Sequence, residues 1–174
     1  GTPWLYELIG NWYMALSLCV CVAACGIYVM RGLDILEYQK FDNPPGFIAP
    51  FDVRLPVKNR KKDNEVTTVV QPDICIVCDE TKIDTRGCCG APDLVVEILS
   101  PGNSHKEVKL KFELYEEAGV QEYWIVYPEE ESLAIFLLNE NGKYDGAALY
   151  AGKDKITSKA VPGPIIDTKE IFIP

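Results

Sequence analysis

The sequence predicts an α/β fold with the order helix, three strands, helix, strand and then a β-hairpin. Three observations carry this. Short runs rich in Val, Ile and aromatic residues, such as VVQPDICIV, LVVEIL and YWIVY, are bounded by Pro, Gly, Asp and Asn, as strands are. The segment from His105 to Ala118 has helical spacing, a Ser104 cap signal before it and Gly119 after it. A long apolar stretch near the start supplies the first helix. The 174 residues, 48% apolar and 25% charged, suffice for one domain with its own core, so residues 1–174 are read as a single unit.

In chain order, the segment YELIGNWYM leads into an apolar helix from about Ala15 to Gln39, which Asn43-Pro44-Pro45-Gly46 stops. Residues 47–55 read as the first strand, with Phe51, Val53 and Leu55 on one face. Lys58 to Glu65 (KNRKKDNE) is a polar, basic tip. Val66 to Val77 follows as the second strand, Asp79 to Gly90 as a polar loop, and Leu94 to Leu99 as a central strand apolar on both sides. The helix from His105 ends at Gly119, and Tyr123 to Tyr127 is the fourth strand. Leu133 to Leu138 and Tyr144 to Tyr150 pair about the turn Asn141-Gly142. The tail from Lys153 ends in a short strand, Ile171 to Ile173.

Two acids stand where acids are expensive. Asp73 and Glu97 each lie in an apolar run read as a buried strand, and an ionised carboxylate there requires a cation, a metal or a proton. Two such strands in succession point to a metal site. On the second helix, three-four spacing groups Glu107, Leu110, Lys111, Leu114, Tyr115 and Ala118 on one face. Lys111 then either pairs with Glu107 and reaches solvent or points over the strand ends toward Asp73 and Glu97. His105, the sole histidine, reads as a solvent-facing residue at a helix start, and Asp93 as a strand cap. Tyr123, Trp124 and Tyr127 read as core rather than as base-stacking groups.

Composition removes several alternatives. Residues 1–65 carry seven basic and seven acidic side chains and residues 66–174 carry ten and nineteen, so the net charge of 0 − 9 = −9 resides in the second part. An acidic chain lacks the broad positive field of a non-specific nucleic-acid binder, although a metal ion can supply local positive charge. The seven cysteines show no zinc or disulfide framework. Cys75 and Cys78 are an odd distance apart in a strand-like run and should face opposite sides. Thiols without a framework fit a reducing cytoplasm. Met14 to Met30 is apolar, but at about 17 residues and without a preceding basic region it reads as a buried helix, so no membrane is expected.

The motif set QPDICIVCD, APDLVVEILSPGNS and KFELYEEAGVQEYWIV resembles the Uma endonuclease family, within the restriction-endonuclease-like PD-(D/E)xK superfamily. The likeness covers about residues 47–150. It implies an αβββαβ core with a mixed central sheet and an added hairpin. It also implies a hydrolase that cleaves DNA phosphodiester bonds with Mg²⁺ or Mn²⁺. Asp73 and Glu97 would hold the ion, Lys111 would serve the attacking water or the phosphate, Glu107 would tune Lys111, and Glu7 would complete the site from the first helix. DNA is the implied substrate and a homodimer the implied assembly.

Two departures accompany the resemblance. Leucine occupies the position two after Glu97 where the superfamily carries its lysine, so Lys111 fills that role from the next helix. The stretch from Asn11 to about Gln39 differs from the family's more polar first helix. Both the second departure and the charge of −9 favour a rival reading, a nuclease-fold binding module without activity.

Overall fold

The computed structural model describes residues 44–56, 68–100, 102, 104–161 and 165–172. The expected first helix, Glu7 and the basic tip Lys58 to Glu65 lie outside the described residues. Twelve short strands, two helices and a 3-10 turn at Glu80–Lys82 make up the rest.

The main sheet has the order β1-β4-β7-β8-β9-β10, formed by Gly46–Ile48 (β1), Ile74–Ile76 (β4), Leu94–Ile98 (β7), Glu122–Tyr127 (β8), Ser132–Leu137 (β9) and Ala148–Ala151 (β10). It is mixed. β7 and β8 run parallel, joined by the helix α1 (His105–Ala118), while the other neighbours are antiparallel. A second sheet has the order β3-β2-β6-β5, from Thr68–Val70 (β3), Val53–Leu55 (β2), Gly87–Cys89 (β6) and Ile83–Asp84 (β5). Lys155–Ile156 (β11) pairs with Ile166–Asp167 (β12), which leads into the short helix α2 (Thr168–Ile171).

Several expected elements are corrected. The single strand over 47–55 is two strands, β1 and β2, in different sheets, and the run 66–77 divides likewise into β3 and β4. Each break carries a proline, Pro50 and Pro72, whose missing N–H cannot feed a ladder. The polar loop 79–90 is not unstructured: it holds the 3-10 turn and the β5–β6 hairpin. Gly87 makes that hairpin possible with φ of 107° and a Cα close to the Asp52 carbonyl, which accepts a hydrogen bond from the Cys88 N–H. The second hairpin is closed over Asn139 to Lys143 as expected, but its return strand begins at Ala148 rather than Tyr144. The terminal strand expected over Ile171–Ile173 is not formed at its first residue, which ends α2 (Thr168–Ile171), a helix started by Asp167 accepting from the Lys169 N–H; Ile173 lies outside the described residues.

The two faces of the main sheet bury different partners. Cys75, Val95, Tyr123 and Ile125 face one way, into a core shared with Tyr115 of α1 and with Val53, Leu55 and Cys88 of the second sheet. Ile74, Ile76, Leu94, Val96, Trp124 and Val126 face the other way, against Ile156, Val161 and Phe172 of the C-terminal segment. This alternation fixes where every strand side chain points. Glu97 shares parity with Val95 and therefore faces α1.

α1 starts and stops as its sequence dictates. Ser104 accepts from the Glu107 N–H while the Glu107 carboxylate accepts from Ser104 N–H, a capping box, and Gly119 ends the helix at φ of 87°. Its packed face differs from the expected one. Leu114, Tyr115 and Ala118 of the expected face touch the core, joined by Val108 and Phe112, whereas Leu110 is 63% exposed and Glu107 is exposed. The packed face is thus turned from the expected one toward Val108 and Phe112 and away from Glu107 and Leu110.

Candidate active site

β4 and β7 bring the two acids together through register. Ile74 pairs with Val96, Cys75 with Val95 and Ile76 with Leu94, so one further step of the same antiparallel register sets Asp73 opposite Glu97 on the α1 face. The backbone ladder ends there. The Asp73 carboxylate accepts from the Ile98 N–H at 2.7 Å, and its carbonyl accepts from the Ala49 N–H at 3.0 Å. Its backbone and one oxygen are thereby held by both neighbouring strands.

Glu97 is 4% exposed and uses both oxygens. Lys111 Nζ donates to Oε2 at 2.6 Å, and the Tyr115 hydroxyl donates to Oε1 at 2.6 Å. Lys111 and Tyr115 lie one turn apart on α1, so a single helix delivers both donors. Charge-assisted bonds of this kind offset part of the cost of burying the carboxylate. Burial nonetheless prevails: it pushes the Glu97 carboxyl above its ordinary value against the pull of Lys111 and Tyr115, with the negative Asp73 adding to the rise. Burial raises Asp73 too, opposed by the Ile98 N–H and by Lys111. Two desolvated carboxylates and one ammonium are thus assembled where the β4–β7 ladder ends.

Of the residues singled out in the sequence, Asp73, Glu97 and Lys111 converge here. Glu107 does not share their burial; it stays at the helix cap with Ser104, which holds its carboxyl below the ordinary value, and Lys111 contributes the weakest of the lowering effects. Glu7 lies outside the described residues. Asp93, just before β7, caps the far end of β4 by accepting from the Cys78 N–H at 2.7 Å. His105 is exposed, and Tyr123 and Trp124 are core residues. Cys75 is buried and Cys78 exposed, as their odd separation predicts, and both are free thiols. Among the described residues no helix is long and apolar enough to cross a membrane.

The sequence reading missed Glu122. It is wholly buried on the opposite face of the sheet and accepts from Trp124 Nε1 at 2.6 Å, Ser158 Oγ at 2.8 Å, and the N–H groups of Lys159 and Ala160 at 2.7 and 2.9 Å. Four donors satisfy it, so its task is to anchor the C-terminal segment. A signal was present: Glu122 and Trp124 are two apart in a run otherwise apolar, which puts an acid beside an indole N–H on one face.

The oxygen donors at Asp73 and Glu97 fit a small hard cation. Among the described residues no three His, Cys, Asp or Glu side chains converge, so a cation bound here would take further oxygens from the main chain, water or substrate.

A family model, Uma2, described as "Putative restriction endonuclease", matches residues 41–169. A solved structure from Anabaena variabilis ATCC 29413, described as "a putative nuclease belonging to DUF820", is similar in fold. Its TM-score is 0.55 at 17% identity, over 89% of this chain and 77% of that one. None of the curated proteins matches this chain.

Proposed function

The chain belongs to the Uma2 family, and on that premise we propose that it is an endonuclease that hydrolyses DNA phosphodiester bonds with Mg²⁺ or Mn²⁺. The observation that carries this reading is the contact of 2.6 Å between Lys111 Nζ and the buried Glu97, with Asp73 opposite on the neighbouring strand.

Asp73 and Oε2 of Glu97 are the ligands that would hold the cation. When bound, it polarises the scissile phosphate and acidifies water. The chain's own groups account for the rest. Ile98 N–H and the sheet fix Asp73, and α1 fixes Glu97, so neither acid must reorganise on a bond-making timescale. Lys111, with 39% of its side chain exposed, can turn its ammonium from Glu97 toward a phosphate at the rim, where it orients the attacking water and offsets the charge that develops on the phosphate. A local cation and Lys111 supply the positive charge that a chain of net −9 lacks as a whole. Glu7 is retained in this proposal as a further acid of the site.

Plasmid nicking with Mg²⁺ or Mn²⁺ tests it, using the wild type and Asp73→Ala, Glu97→Ala and Glu7→Ala. Metal-dependent cleavage abolished by Asp73→Ala and by Glu97→Ala is the expected result. Folded wild-type protein that fails to cleave whichever divalent ion is supplied would sink it.

One observation favours a second reading, a binding module of the same fold without activity. Both Glu97 oxygens and Oδ2 of Asp73 already have internal donors. The same nicking assay, paired with a DNA-binding titration, separates the two readings.

A further inference from the structure

The two donors on Glu97 differ in one respect that bears on which ion the site accepts. Lys111 ends in a flexible, partly exposed ammonium. Tyr115 is wholly buried, and its ring lies against Tyr123 with centroids 5.0 Å apart and planes inclined by 57°. Lys111 can therefore leave Oε2 for solvent, whereas Tyr115 cannot leave Oε1 without emptying its place in the core or stranding a buried hydroxyl.

We propose that Tyr115 confines Glu97 to ligation through one oxygen and thereby selects small octahedral cations over Ca²⁺. This rests on the reading that Asp73 and Glu97 hold a divalent ion. Mg²⁺ and Mn²⁺ are satisfied by one oxygen from each of one or two carboxylates, with water filling the remaining positions. Ca²⁺ takes more oxygens at longer distances, and carboxylates commonly give it both. With Oε1 committed to the Tyr115 hydroxyl at 2.6 Å, the second oxygen is withheld. Tyr115 touches neither ion nor substrate and is a positioning residue that acts through Glu97.

The test is calorimetric titration of Mn²⁺ and of Ca²⁺ into the full chain, wild type and Tyr115→Phe. The wild type should prefer Mn²⁺, and Tyr115→Phe should move the ratio of affinities toward Ca²⁺ by on the order of tenfold. A merely structural role would weaken both ions together and leave the ratio unchanged, and an unchanged ratio overturns the proposal. If the wild type binds neither ion, the underlying metal reading fails and takes this inference with it, an outcome distinct from binding with an unaltered ratio. Should Tyr115→Phe not fold, infrared difference spectra of ¹³C-glutamate-labelled wild type with Mg²⁺ and Ca²⁺ decide. Widely split, one-oxygen carboxylate bands with both ions support the assignment, and narrow two-oxygen bands overturn it.

Discussion

Lys111 meets Glu97 across fourteen residues of sequence, Nζ to Oε2 at 2.6 Å, and in doing so joins the helix to the strand it follows. Leucine, not lysine, stands at position 99, two after Glu97. A parallel β7–α1–β8 unit folds the helix back over β7, which is why a residue from the helix can serve the same carboxylate.

Lys111→Met keeps the aliphatic stem and removes the ammonium. Plasmid nicking should fall by about 10²- to 10⁴-fold, the range typical for losing a positioned proton-handling or charge-stabilising group. Rates measured at saturating Mn²⁺ check it. Unaltered nicking would remove Lys111 from the chemistry.

Glu116 ties α1 to the second hairpin, accepting from Lys143 Nζ at 2.6 Å and from the Tyr144 N–H at 2.8 Å. Lys143, then the Tyr144 N–H, hold its carboxyl below the ordinary value of 4.5. A depressed folded-state value means stability that is present above pH 4.5 and lost as pH falls through the folded-state value. Glu116→Gln should therefore lower Tm by about 2–4 °C at neutral pH. The gap should be smaller at a pH below 4.5 than at neutral pH. Equal gaps in thermal melts at both pH values would show that the ionised form contributes nothing.

Glu122→Ala leaves four donors around Trp124, Ser158, Lys159 and Ala160 without their shared acceptor. We expect a loss of at least about 3 kcal/mol in denaturant unfolding. Amide exchange at Lys159 and Ala160 should quicken before that of the central strands. Uniform exchange with unchanged stability would contradict the anchoring role.

Gly87 and Gly142 both have positive φ, 107° and 69°, yet their surroundings differ. A Cβ on Gly87 would fall 2.1 Å from the Asp52 carbonyl oxygen, while one on Gly142 meets nothing within 4 Å. Gly87→Ala should cost about 2–4 kcal/mol and Gly142→Ala about 1 kcal/mol. Paired unfolding curves check the contrast.

Much of this fold was legible because local rules and tertiary packing agree. Ser104 and Gly119 mark the ends of α1, and the alternation of β7 puts Glu97 on the face it occupies. The division of two expected strands between sheets was less legible. Pro50 and Pro72 announce a break, but nothing local says that the chain crosses to another sheet, which depends on long-range partners such as Cys88 for Val53. The phase of α1 was legible in part for a related reason. Leu110 looks like core by hydrophobicity, yet aromatic contacts of Phe112 with Tyr123, Phe136 and Tyr144 turn the helix toward Phe112 and leave Leu110 exposed. The acid pair was visible because burial makes a carboxylate conspicuous in an apolar run. Glu122 was only half visible, because one donor, Trp124, is two residues away while the other three are 36 to 38 residues downstream.

That distance has a meaning for a chain being made in order. When β8 emerges during synthesis, Glu122 has Trp124 as its near donor, and the other three have yet to appear. The middle of the sheet is thus left with an unmet demand that only a later stretch of polypeptide can answer. Satisfaction of Glu122 waits for the arrival of residues 158–160, so a nascent chain stalled before them would leave a buried carboxylate short of three of its four donors.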